Sequence, residues 1–149
     1  MNPTVRPEPK WIEIAVLLAL HSQQIERYGG AHGILDSNVV LSALARHRND
    51  WAYTESADVA DLAASYLVAF AGSQGFADGN KRTGLACALV FLSINGIELH
   101  VPPSELYALT LAVANHEAGD AVAASYFRSR MTTNRVLKNQ ERLDAESQR

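Results

Sequence analysis

The sequence predicts an all-α fold, a compact bundle of about six helices around a central buried helix. Three observations carry this. Apolar residues recur at helical spacing in segment after segment, most regularly at Val59, Leu62, Ala63, Tyr66, Leu67 and Phe70. Helix start and stop residues punctuate those segments, and no run alternates with the period of a half-buried strand. The stretch Leu85 to Leu92 is apolar at every position, so it has no solvent face and belongs at the centre of a domain.

Taken in order, residues 1–9 hold three prolines and form an extended lead-in. From Trp11, the positions Trp11, Ile14, Ala15, Leu18, Ile25 and Tyr28 give a first helix that Gly29-Gly30 stops. Asp36 or Ser37 caps a short second helix with Val40, Leu41 and Leu44 on one side. Asn49 to Thr54 reads as a connector whose Trp51 and Tyr53 plug the core. A third helix starts near Ser56 to Asp58, and Gly72 and Gly75 break the chain into a polar loop. After the central helix, Asn95-Gly96 is a helix stop, and Ile97 to Val101 is extended. Pro102-Pro103-Ser104-Glu105 restarts a helix to about Asn115, and Ala121 to Met131 follows Gly119-Asp120 as the last one. Residues 132–149 are a polar tail, either a marginal surface helix or disordered until a partner orders it.

A chain of 149 residues is most simply one domain, 1–149. Hydrophobic residues at 48% and charged residues at 19% exclude a disordered chain. The net charge of -3 gives no general pull toward nucleic acid and argues against a DNA-binding helix pair. The single cysteine, Cys87, reads as a small buried hydrophobe. The apolar run Ile14 to Leu20 follows Arg6 and Lys10, but His21-Ser22-Gln23-Gln24 stands where a signal-peptide cleavage site would be. No run approaches the roughly 20 apolar residues of a membrane span, so a cytoplasmic protein is expected.

The chemistry concentrates between Gln74 and Thr83. Gly79 lets the backbone approach an anion with no Cβ in the way, and the amides of the following helix start are ready anion donors. Asp78 is a hard oxygen ligand for a divalent cation. Lys81 offers a point charge and Arg82 a bidentate fork, with Asn80 as a neutral donor. Thr83 falls in the first turn, where its hydroxyl could cap or touch a ligand, and Phe76 anchors the loop in the core. The same residues read equally as a plain polar helix start, with Asp78 as N-cap and Lys81 and Arg82 solvated. The glycine spacing is not that of a P-loop. His21, His32, His47, His100 and His116 show no metal-ligand spacing; surface or helix-end roles are expected for them, with a place near the site left open for one. Glu13, Asp36, Glu55 and Glu117 form no paired pattern for acid–base work.

The segment Phe76-Ala77-Asp78-Gly79-Asn80-Lys81-Arg82-Thr83 resembles the signature of the Doc (death-on-curing) branch of the Fic/Doc family, H-x-F-x-[DN]-[AG]-N-K-R. Gly33-Ile34-Leu35-Asp36 through Leu41-Ser42-Ala43-Leu44-Ala45-Arg46 resembles the family's upstream segment, and Ala88 to Leu92 with Asn95-Gly96 resembles the helix after the motif. The resemblance implies an all-helical toxin of a toxin–antitoxin pair. It implies a kinase that uses ATP and Mg2+ to phosphorylate a threonine of elongation factor Tu, and a Phd-like antitoxin whose C-terminal segment folds onto the toxin. By similarity Asp78 would serve the metal, while Phe76, Gly79, Asn80, Lys81, Arg82 and Thr83 would form the nucleotide site. A Fic-type adenylyltransferase is the alternative within the fold, against which Lys81 argues. A non-catalytic pseudoenzyme that binds a nucleotide or a partner is the alternative outside catalysis.

One position departs from the pattern. Gln74 stands where the family has a histidine, the general base for the attacking hydroxyl. A carboxamide cannot take up a proton near neutrality, so this chain is expected to be inactive or nearly so. A deliberate replacement that lets a lethal protein be produced and a natural loss of function both account for it. The retention of every other motif position favours the first.

Overall fold

The computed structural model describes residues 6–133 and 142–148. Six helices follow one another: α1 Ile14–Tyr28, α2 Ser37–Tyr53, α3 Val59–Ala71, α4 Asn80–Ile94, α5 Pro103–Ala114 and α6 Asp120–Arg130. A further helical stretch, 142–147, has exposed side chains. The all-α bundle is therefore the observed fold. Of the polar tail, 134–141 and 149 lie outside the described residues, as do 1–5 of the lead-in.

The local signals act as chemistry requires. Asp36 caps α2 by accepting from the N–H groups of Asn38 and Val39 at 3.0 and 3.3 Å. Asp58 and Asp61 form a reciprocal capping box on α3 at 2.9 and 3.0 Å. Arg128 then locks that box to α6 through both carboxylates. Its guanidinium holds the Asp58 carboxyl down at about 2.

The centre is shared by two helices. α3 buries Ala60, the whole run Leu62 to Leu67, Phe70 and Ala71, and it packs on α2, α4, α5 and α6. α4, expected to be buried all round, buries Thr83, Gly84, Cys87, Ala88, Phe91 and Leu92 and leaves Leu85, Ala86, Leu89 and Val90 half-buried. The two helices meet closely at Gly84, where a Cβ would lie 2.9 Å from the Ala71 nitrogen and 3.0 Å from the Leu67 carbonyl oxygen. Cys87 is buried as expected, and burial pushes its thiol up to about 12.

Several expectations are corrected. The first helix begins at Ile14, not Trp11, and its buried stripe is Leu17, His21 and Ile25, whereas Ile14, Leu18 and Tyr28 are exposed. Docking on α4 chose one of two apolar stripes that the sequence offered. Trp11 and Ile12 belong instead to an extended segment pinned by an Ile12 N–H bond to the Tyr66 hydroxyl at 3.0 Å. The second helix is not short: it runs through the expected connector, and Tyr53 at its end is exposed rather than a plug, while Trp51 packs on the core. A small antiparallel sheet also forms, β1 Ile97–Leu99 with β2 Met131–Thr133, in the register Ile97↔Thr133 and Leu99↔Met131. Three residues per strand are too few to write an alternation into the sequence.

Candidate functional site

The loop between α3 and α4 is built around Phe76, whose ring is fully buried against His21 and Phe70, with centroids 3.8 and 6.4 Å apart. The Asn80 amide clamps the same residue from above. Its oxygen accepts from the Phe76 N–H at 3.0 Å, and its nitrogen donates to the Phe76 carbonyl at 3.0 Å. Gly79 is the N-cap of α4 at φ 78, a left-handed conformation that glycine adopts without a Cβ penalty. The Asp78 side chain is thus not the cap.

The α1–α2 connector lies along this loop and completes it. Leu35 and Asp36 both donate to the Gly75 carbonyl, at 2.9 and 3.0 Å, and Ala77 donates to the Gly33 carbonyl at 3.1 Å. Ile34 and Phe76 form an antiparallel bridge. The Ala31 N–H donates to Asp78 Oδ2 at 2.7 Å. Arg82 ties the connector down from α4, donating to the carbonyls of Gln24 and Gly29 at 3.0 and 2.9 Å beneath the Tyr28 ring.

One cavity of about 350 Å3 opens at this junction, lined by Gln74, Asp78, Gly79, Asn80, Lys81 and Arg82 together with Ser73, Ala77, the last α5 residue Ala114 and its C-cap Asn115. Six of the expected site residues therefore share one wall. Phe76 and Thr83 do not reach it. Both are fully buried, Phe76 as the loop's anchor and Thr83 because its turn faces the core, where its hydroxyl finds no partner among the described residues. The first helical bond of α4 runs from the Thr83 N–H to the Gly79 carbonyl at 2.9 Å. The amides of Gly79, Asn80, Lys81 and Arg82 thus have no intrahelical acceptor. The N-cap, a glycine, offers no side chain to cap them. Exposed Lys81 adds a full positive charge to this donor set.

No group of three or more metal-ligating side chains occurs among the described residues. A magnesium ion needs only one or two protein oxygens beside phosphates and water. Asp78, exposed on the cavity wall with one oxygen oriented by Ala31, fits that requirement.

Sequence reasoning missed Asn115 and His21. Asn115 is distant in the chain and comes to the cavity because α5 ends there. His21 was expected at a surface or helix end, yet it is 4% exposed and its Nε2 lies 2.8 Å from the Asp78 carbonyl oxygen. The spacing Leu17, His21, Ile25 placed it in a buried stripe. His47 is corrected in the same way: it is fully buried, stacked on Tyr66 and bonded to its hydroxyl at 2.8 Å.

A glycine-bearing loop and a row of amides without intrahelical acceptors at the start of a core helix form a general kind of anion site. Residues 11–92 match the Fic/DOC family, and the chain belongs to it. It is similar to the protein named Protein kinase doc of Escherichia phage P1, with 39% identity over 112 residues, covering 75% of this chain and 88% of that protein. No helix among the described residues is long and apolar enough to cross a membrane.

Proposed function

We propose that this chain is the toxin of a Phd/Doc-type toxin–antitoxin pair, and that the cavity at the start of α4 is the phosphate site of an ATP-dependent protein kinase. The convergence of six motif residues on that one cavity carries the reading. The likeness to a protein named as a kinase supports it.

In this reading the α4 amides and Lys81 hold the phosphates of ATP, while Arg82 has N–H groups left over after its two carbonyl bonds. Asn80 keeps one amide hydrogen beyond its clamp on Phe76. Asp78 holds Mg2+, which when bound neutralises charge on the phosphates. The γ-phosphoryl group passes to a threonine hydroxyl of elongation factor Tu as its bond to the bridging β-phosphate oxygen breaks and ADP leaves, and that hydroxyl must give up its proton. Gln74 sits where the proton would go. Its carboxamide can orient the hydroxyl but cannot accept the proton, so turnover is lower by about 10²–10⁴-fold than with a base in place. The protein works in the cytoplasm, its partner is a Phd-like antitoxin, and neither nucleic acid nor membrane is bound directly.

Gln74→His, incubated with radiolabelled ATP, Mg2+ and elongation factor Tu, is expected to phosphorylate a threonine and to arrest growth when expressed. Mass spectrometry distinguishes this from an AMP adduct, which would move the assignment to adenylyl transfer. Nucleotide binding with no product from Gln74→His would make the chain a binding pseudoenzyme.

A further inference from the structure

The buried face of α1 holds a group that the kinase reading does not use. His21 is not among the residues lining the cavity; it stands behind the motif loop, 4% exposed, with its ring parallel to Phe76 at 3.8 Å and 10°. Its Nε2 is 2.8 Å from the Asp78 carbonyl oxygen. A carbonyl oxygen only accepts, so the imidazole donates, and Nε2 carries a proton.

That bond has a consequence one atom further along the chain. The Asp78–Gly79 peptide is trans, so its carbonyl and its N–H point in opposite directions. The carbonyl is held toward α1, which contributes nothing to the cavity. The Gly79 N–H is therefore turned away from α1. Glycine at φ 78 allows this peptide to rotate at little backbone cost, so the loop does not hold the orientation by itself. Besides the His21 bond to its carbonyl, Asp78 is held among the described residues through its carboxylate, which accepts from the Ala31 N–H.

We propose that His21 is a positioning residue that locks the Asp78–Gly79 peptide, so that the Gly79 N–H completes the row of anion donors and the Asp78 carboxylate keeps its aim. The lock is a local property of the loop. Its effect on ATP rests on the kinase reading above.

Two substitutions separate the donor from the packing. His21→Phe keeps a flat ring on Phe76 and removes the donor. His21→Gln gives up the ring and keeps an N–H at the reach of Nε2. Titration with Mg2+-ATP is expected to show affinity reduced roughly tenfold in His21→Phe, the scale of one lost hydrogen bond, and largely restored in His21→Gln. Crystal structures of both are expected to show the 78–79 peptide rotated or in two orientations in the first and in the parent orientation in the second. An unchanged peptide in His21→Phe, or equal loss in both variants, overturns the lock. Should the parent bind no nucleotide, the kinase reading falls and the peptide orientation alone decides the lock. Nitrogen-15 spectra of the His21 ring in the parent protein need no substitution and cover the case of a variant that does not fold. Protonation at Nδ1 alone would exclude the bond and overturn the proposal.

Discussion

At the scale of single residues, the site separates into groups that face a ligand and groups that hold the loop. Arg82 belongs to both. Its fork spans the carbonyls of Gln24 and Gly29, a geometry that an ammonium group cannot reproduce. Arg82→Lys is expected to lower stability by about 1.5–3 kcal/mol in urea unfolding, the range for losing a charge-assisted bond. The loss should be accompanied by faster amide exchange across 29–31. Thr83 makes the opposite case. Its buried hydroxyl has no partner among the described residues, so the near-isosteric Thr83→Val removes a desolvated polar group. A gain of about 1 kcal/mol is expected, and a loss would reveal a partner for the hydroxyl. The sequence showed that these residues are polar and close together. It placed Phe76 in the core as the loop's anchor, where the structure has it. It could not show that Thr83 points inward while Lys81 points out, because that depends on where the first turn of α4 falls against α3.

At the scale of elements, the decisive contact is between α3 and α4. Replacing glycine by alanine inside a helix ordinarily stabilises by about 1 kcal/mol. At Gly84 the added Cβ would meet backbone at 2.9 and 3.0 Å, so the helices must move apart. Gly84→Ala is expected to destabilise by about 1–3 kcal/mol, read from the urea midpoint, and an increase would refute the close crossing. The capping box on α3 is a second lever, since Asp58 serves the helix start and Arg128 of α6 together. Asp58→Ala should cost about 1–2 kcal/mol and loosen α6 against α3 in hydrogen exchange. Periodicity made α3 legible before the structure was known. It misplaced α1 because Ile14, Leu18 and Tyr28 also follow helical spacing, and only the docked partner selects between two stripes.

At the scale of the whole molecule, the extended segment before α1 is fastened to the core through His47 and Tyr66. Tyr66 accepts from Ile12 and bonds His47, which Trp11 also covers. Burial, with Arg48 nearby, lowers His47 to about 3 from its ordinary 6.5. The sign follows directly. The folded protein keeps this ring neutral while the unfolded chain takes up a proton, so stability falls as pH drops below about 6.5 and the loss levels off near pH 3. The slope approaches about 1.4 kcal/mol per pH unit within that window. Urea unfolding between pH 7 and pH 4.5 should show it, with a shallower slope in His47→Gln. Asp58, titrating near 2, contributes little above pH 4.5. A parent protein with flat stability across this range would contradict the buried neutral ring.

The sequence by itself determined the helical class, the order of the helices and the polar loop feeding a core helix, because period, caps and glycines act over a few residues. It also held all three segments of the family resemblance, among them the Gly33 to Arg46 stretch and the loop from Phe76 to Thr83. Only the tertiary structure decided that these segments meet, the Gly33 to Asp36 connector pairing with Gly75 and Ala77. The same holds for Asn115 reaching the cavity from the end of α5, and for His21 fastening Asp78 from behind. Each of these contacts joins residues far apart in the chain, and no local pattern records which distant faces a packed core will bring together.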